Sequence, residues 1–172
     1  RFYFRPQTPT QFYNECLGKD YLSDKYDQAL NLGLPKCPIP VFFKFSIDEI
    51  LNNQFEKCFI SNGNLQTNWA TIGALSEMYN MFDFEDVYST IDSTSDGNWK
   101  TYINKSQQEF LVREQFDFTD IYNYEILVRN RSDLWQLKSL LKDYPNVVRK
   151  IRIADNDDNI YLNNNKEIEY HL

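Results

Sequence analysis

The chain has little glycine, a single histidine and no surplus of positive charge. Its five glycines among 172 residues form no GxGxxG and no GxxxxGK[ST] spacing. Nothing therefore supports a Rossmann or P-loop nucleotide site. Eighteen Lys and Arg against 25 Asp and Glu give a formal charge of -7. A protein that coats nucleic acid by neutralising phosphates needs the opposite balance, so any nucleic-acid contact has to be local. Three cysteines, Cys16, Cys37 and Cys58, are an odd number with no CxxC and no paired His. They suggest neither a disulfide framework nor a zinc site, and read as free thiols in a reducing cytoplasm. His171 is the penultimate residue and reads as a tail residue rather than a ligand. No apolar run approaches the roughly 18 residues of a membrane span, and no charged segment leads into a signal-like apolar one. A soluble, cytoplasmic protein without a metal is expected.

What the chain does have is rings: 12 Tyr and 13 Phe, with 42% hydrophobic residues, suit a core and grooves built largely from aromatics. The length fits one domain, 1–172. Because "RFYF" is already strand-like at Arg1, the natural chain is expected to begin upstream. Phe2 and Phe4 alternate in a short strand stopped by Pro6 and Pro9, and a helix is expected from near Thr10. A second helix fits "SDKYDQALNLG", with Ser23 as cap and Gly33 as stop. Pro35, Pro38 and Pro40 then deliver the chain into "VFFKF", patterned like a strand covered on both sides.

Ser46-Ile47-Asp48-Glu49 is a capping box that predicts a helix over "SIDEILNN", and "CFISNGN" reads as a strand ending in an Asn-Gly turn. Trp69, Ile72, Leu75, Tyr79 and Phe82 recur at helical steps and predict a long core-facing helix. A polar segment turning at Ser95-Asp96-Gly97-Asn98 follows, then "EFLVREQF" and "YEILVRN". A helix over "SDLWQLKSLLKDY", with Leu134, Leu137, Leu140 and Leu141 on one face, leads to a strand "NVVRKIRI". The Asn-rich tail has room for one more strand around Ile160 to Leu162. The sum is α+β.

The stretch "KSQQEFLV" places Gln107, Gln108 and Glu109 directly before an apolar run. A buried carboxylate without a partner is costly, so Glu109 belongs either to a strand-end salt bridge or to a functional cleft. Alternation in a strand would put Gln107 and Glu109 on one face, where both could address one ligand.

"QQEFLV" resembles the Q-x-E element that opens a strand in ADP-ribosyltransferases, in particular the QxEFLV pattern of the DarT family of DNA ADP-ribosyltransferase toxins. "RFYFRPQTPTQFYNE" resembles that family's F-Y-F-x-P-R-[ST]-P, and "CPIPVFFKFS" and "CFISNGN" follow in the family's order, so the resemblance covers most of residues 1 to 130. It implies a split mixed or antiparallel sheet core with flanking helices. The implied reaction moves ADP-ribose from NAD, the co-substrate, to a base in single-stranded DNA. The implied partner is a macrodomain antitoxin.

Carried over residue by residue, Glu109 becomes the catalytic carboxylate and Gln107 the residue facing the base. Within the loop before it, Trp99 is placed to stack on a base or to close the loop, and Lys100 and Lys105 to meet phosphates. Gln7 stands where the pattern has its Arg, so Arg5 is the candidate for a catalytic and NAD-binding guanidinium, with Gln7 beside it or as a plain turn residue. Tyr13 could stack on the nicotinamide or adenine ring, or pack in the core. Two other readings share these residues: an impaired transferase fold that only binds, and a transferase directed to RNA or protein.

Overall fold

Strand β5 (Glu109–Val112) lies inside a four-stranded sheet and draws its edges from distant parts of the chain. In this computed structural model, which describes residues 1–8, 11, 40–78, 84–88, 105–117 and 121–161, β1 (Phe2–Tyr3) pairs antiparallel with β5. On the other side of β5 runs β3 (Cys58–Ser61), and beyond it β4 (Ile72–Ala74), both pairings again antiparallel. The order is β1-β5-β3-β4.

Rings hold the short β1 in place. Phe2 is the cross-strand partner of Phe110, lies 4.8 Å from Phe116 edge-on, and is followed by Phe4, whose ring meets Phe110 at 6.0 Å. Phe110 and Ile60 are buried there. Since cross-strand partners share a face, Phe2 and Phe110 take one side of the sheet and Tyr3 and Glu109 the other.

The chain divides into two compact units, one of Arg1–Thr8 with Ile47–Tyr122 and one of Pro9–Ser46 with Asn123–Leu172. Among the described residues the first holds the four-stranded sheet and the α-helices α1 (Ile47–Gln54), α2 (Leu75–Met78) and α3 (Phe84–Tyr88). Helix α1 forms where the capping box predicts it, with Asp48 and Glu49 in its first turn, favourable to the helix dipole. Cys58 is buried at the start of β3, where its Sγ donates to the Gln54 carbonyl at 3.1 Å and burial pushes the thiol pKa up.

The second unit contains a three-stranded sheet, β2 (Phe42–Phe45), β6 (Tyr124–Val128) and β7 (Ile151–Ile153), with β6 central. β2 and β6 are antiparallel while β6 and β7 are parallel, so the link between the latter two must cross over. That link carries α4 (Arg131–Leu140) and α5 (Pro145–Val148). Ile126, Val128 and Ile151 form the core, packed by Leu134, Leu137, Leu141 and Val147.

Several expectations need correction. Trp69 lies in a turn, 46% exposed, and Ile72 in β4, 48% exposed, so neither belongs to a core-facing helix. Ile72-Gly73-Ala74 takes its ladder from β3 instead, at a glycine that disfavours a helix interior. Leu140 is 77% exposed, because it falls about 60° past Leu137 around the helix while Leu134, Leu137 and Leu141 keep the i, i+3, i+4 spacing. "NVVRKIRI" is helical in its first half, since Pro145 opens α5 at a first-turn position, and strand only from Ile151. Phe43 is half exposed, and Lys44 on the opposite face is exposed too, so β2 is not a strand covered on both sides. Ile160 and Tyr161 are not strand; Tyr161 instead buries its ring, with its hydroxyl 2.7 Å from the Pro40 carbonyl and 3.0 Å from that of Leu127. The helices expected near Thr10 and over "SDKYDQALNLG", the turn at Ser95-Asp96-Gly97-Asn98, and Tyr79, Phe82 and Leu162 lie outside the described residues.

Candidate active site

At the head of β5 the chain buries a run of polar side chains: Ser106, Gln107, Gln108 and Glu109, with Ser61 of β3 beside them. Glu109 is fully buried at 0% exposure. A carboxylate in that position demands compensation, and it comes from Arg1. The Arg1 Nε donates to Glu109 Oε2 at 2.8 Å, and Nη2 reaches both carboxylate oxygens. Glu109's carboxylate in turn raises the Arg1 pKa above the ordinary guanidinium value, chiefly through this hydrogen bonding. The pairing follows from register: Tyr3 stands opposite Glu109, and Arg1, two residues earlier, is its diagonal neighbour on the same face.

The backbone of Glu109 is held separately. Its N–H donates to Ser61 Oγ at 3.1 Å, and the Ser61 hydroxyl donates to the Gly63 carbonyl at 2.7 Å. Three residues along the same loop, Asn64 Nδ2 donates to Gln107 Oε1 at 3.2 Å. Gln107 itself lies in a turn, not in the strand, which begins only at Glu109; the Gln108 N–H closes that turn on the Lys105 carbonyl at 3.1 Å. Strand alternation therefore does not bring Gln107 and Glu109 together. Both are instead held from one stretch of chain, the Glu109 backbone by Ser61 at the end of β3 and the Gln107 side chain by Asn64 in the loop that follows.

The bend at Phe4 to Gln7 is tied to α3. Arg5 Nη1 donates to the Val87 carbonyl at 3.0 Å and its Nε to Pro6 at 3.3 Å, while the Tyr88 hydroxyl donates to the Phe4 carbonyl at 2.7 Å. Gln7 has φ 58°, in the left-handed region that costs energy for a residue with a Cβ. Gln108 Oε1 is buried with no hydrogen-bond partner among the described residues. Lys105 opens the turn before Gln107. Tyr13, Trp99, Lys100 and His171 lie outside the described residues.

Sequence reading missed Arg1, Ser61 and Asn64. The first was hidden because strand register is not visible in a two-residue strand. Ser61 and Asn64 sit in the quoted "CFISNGN", where the Asn-Gly pair drew attention to the turn rather than to what its neighbours hold. Among the described residues no group of three or more His, Cys, Asp or Glu is placed to hold a metal ion, and no helix is long and apolar enough to cross a membrane.

A buried Q-x-E at the head of a central strand, in an α+β fold with two sheets, defines a transferase of the ADP-ribosyltransferase type. Residues 1–162 match the family described as "ssDNA thymidine ADP-ribosyltransferase, DarT". The chain belongs to the DarT family.

Solved structures agree on the fold. The chain is similar to Thermus sp. 2.9 DarT in complex with NAD+ at TM-score 0.64 and 18% identity, over 94% of this chain and 71% of that one. For the same Thermus protein in complex with ADP-ribosylated ssDNA the values are 0.63 and 19%, over 93% and 67%. With carba-NAD+ they are 0.63 and 18%, over 91% and 70%. No curated protein matches the chain in sequence.

Proposed function

We propose that this chain transfers ADP-ribose from NAD to a thymidine base in single-stranded DNA, with Glu109 as its catalytic carboxylate. The observation that carries the reading is a fully buried carboxylate at the head of β5 whose ion pair with Arg1 leaves the arginine side chain half exposed. Family membership supplies the reaction class; the Thermus structures with NAD+ and with ADP-ribosylated ssDNA support NAD as co-substrate and DNA as acceptor.

The donor set fits NAD. Each oxygen of a carboxylate has lone pairs enough to keep Arg1 and still accept a ribose hydroxyl. In the transfer, the C1'–nicotinamide bond breaks and a bond from C1' to a base nitrogen forms, with nicotinamide leaving neutral. Glu109 offsets the positive charge developing at C1' and accepts the proton that the base nitrogen gives up. Gln107 addresses the base. Arg5, with Gln7 beside it and Tyr13, would serve the NAD side; Trp99, Lys100 and Lys105 would serve the strand. The chain acts as one domain, in the cytoplasm, as the toxin of a pair whose antitoxin is a macrodomain that removes the modification.

The test is intact-mass analysis of short single-stranded oligonucleotides after incubation with NAD. The wild-type chain should add one ADP-ribose to thymidine-containing DNA, and Glu109→Gln should lower the rate by at least about a hundredfold with the thermal midpoint nearly unchanged. Retained transfer in that variant, or transfer to RNA or protein alone, would overturn the reading.

A further inference from the structure

An acidic chain that meets nucleic acid has to concentrate its cations somewhere, and α4 carries such a concentration. Arg131, Trp135 and Lys138 fall within roughly 60° of one another around the helix, and Lys142, in the turn just beyond it, continues the i, i+4, i+7, i+11 spacing. Trp135 is 74% exposed, Arg131 and Lys142 are exposed, and Lys138 is partly so. The one acid within α4, Asp133, is buried on the far side of the helix against Arg129. Among the described residues the ion pairs engage Arg1, Lys44, Arg113, Arg129 and Arg152, and none engages Arg131, Lys138 or Lys142. In a chain of formal charge -7, this stripe is locally positive around one ring left in water.

The chemistry around Trp135 selects among occupants. An anchor for a protein partner sits in an apolar, desolvated setting from which lysine is depleted. Here two lysines and an arginine flank a single ring. A single strand of nucleic acid is met in this way, its phosphates by cations and a base by an aromatic face. Along the axis Arg131 and Lys138 are about 10 Å apart, the span of roughly three nucleotides of stacked strand at about 3.4 Å each. We propose that the face of α4 formed by Arg131, Trp135 and Lys138, together with Lys142, binds single-stranded nucleic acid, with Trp135 stacked on a base and the cations on phosphates. The face belongs to the compact unit that does not contain Glu109. It is tolerant of sequence, because every base has a π-face, and it holds the strand without entering the reaction. It therefore goes beyond the transferase reading and does not rest on it.

The test measures the affinity of the whole chain for a labelled oligothymidylate by fluorescence anisotropy, without NAD and over a range of salt. Trp135→Ala should weaken binding at least about fivefold. Arg131→Gln combined with Lys138→Gln and Lys142→Gln should weaken it at low salt and flatten the slope of log affinity against log salt by about two, at about 0.7 for each phosphate contact. A duplex of the same length, whose bases are stacked inside, should be indifferent to Trp135→Ala. These side chains lie on the surface, so both variants should unfold at the wild-type urea midpoint.

Unchanged affinity in Trp135→Ala overturns the proposal, and so does an equal loss on single strand and duplex, which would leave a plain electrostatic face. An unchanged salt slope in the triple variant overturns it as well. Polyglutamate that competes as well as unlabelled oligothymidylate would point to an acidic protein partner and overturn it too. Transfer is no part of the readout. A wild-type chain that binds the oligonucleotide through this face and transfers nothing sinks the transferase reading alone, whereas transfer by a chain indifferent to these variants sinks this proposal alone.

Discussion

Each unit of the molecule holds an arginine–carboxylate pair, and the two are sealed differently. In the unit with β6, Arg129 and Asp133 are an i,i+4 pair with both side chains shut off from water, at 0% and 3% exposure. Arg129 Nε donates to Asp133 Oδ2 at 3.1 Å, and the Asp133 N–H is capped by Asn130 Oδ1 at 2.9 Å. The pair ties the end of β6 to the first turn of α4. In the unit with β5, Glu109 is just as buried, but Arg1 is 46% exposed and comes from the far end of the sequence. A pair sealed on both sides is closed to water and to a substrate. A pair with one wet member can open, since water or a substrate hydroxyl reaches the carboxylate as the guanidinium leaves. Burial of Glu109 alone would fit either case; the exposure of its partner separates them.

The largest effect expected from this contrast is at Asp133. Asp133→Ala leaves the Arg129 charge buried without its carboxylate, at a cost of about 3–5 kcal/mol, readable by urea unfolding. A loss below about 1 kcal/mol would put it in the class of an ordinary surface pair.

Arg1→Ala should behave in the opposite way. Removing a half-exposed arm opens Glu109 to water, so the stability loss should stay below about 1 kcal/mol. The loosened carboxylate should instead lower kcat/KM for transfer by roughly tenfold to a hundredfold. A stability loss as large as that of Asp133→Ala, with transfer retained, would make Arg1 a structural staple and erase the distinction.

Sequence reading reached the site's centre but not its supports. Glu109 was visible because a carboxylate heading an apolar strand is anomalous wherever the strand pairs. β2 was visible through alternation, β3 through the Asn-Gly turn that ends it, β5 as an apolar run behind Glu109, and α1 through its capping box. Arg1 was not, because its role depends on Tyr3 standing opposite Glu109, and nothing in either segment fixes that register. Asn64 was not, because its partner is 43 residues away. The helix expected from Trp69 shows the converse failure: its spacing runs across a junction where β4 ends and α2 begins, and the ladder to β3 outweighs the local pattern. The strand expected over "NVVRKIRI" failed locally, at a proline suited to open a helix.

A third arginine extends the comparison to the surface. Arg152 of β7 donates to Glu125 of β6 at 2.7 and 2.8 Å and to Asp158 at 2.6 and 3.0 Å, and Lys44 of β2 reaches Asp158 at 3.0 Å. Arg152 holds the Asp158 carboxyl well below the ordinary carboxylate range, through its hydrogen bonds first, and lowers Glu125 in the same way. A carboxyl whose folded pKa is depressed contributes stability that is fully present above its unfolded value, about 3.9 for Asp and 4.3 for Glu, and is lost as pH falls through the folded value. The thermal midpoint should therefore begin to fall below about pH 4, and Asp158→Asn should flatten that decline. The change should be the smallest of the three, because Arg152 and Glu125 are 34% and 40% exposed and solvent screens them. Identical acid slopes in the two proteins would mean that the cluster contributes nothing to stability, and that sealing, rather than the number of ion pairs, decides what an arginine is worth in this fold.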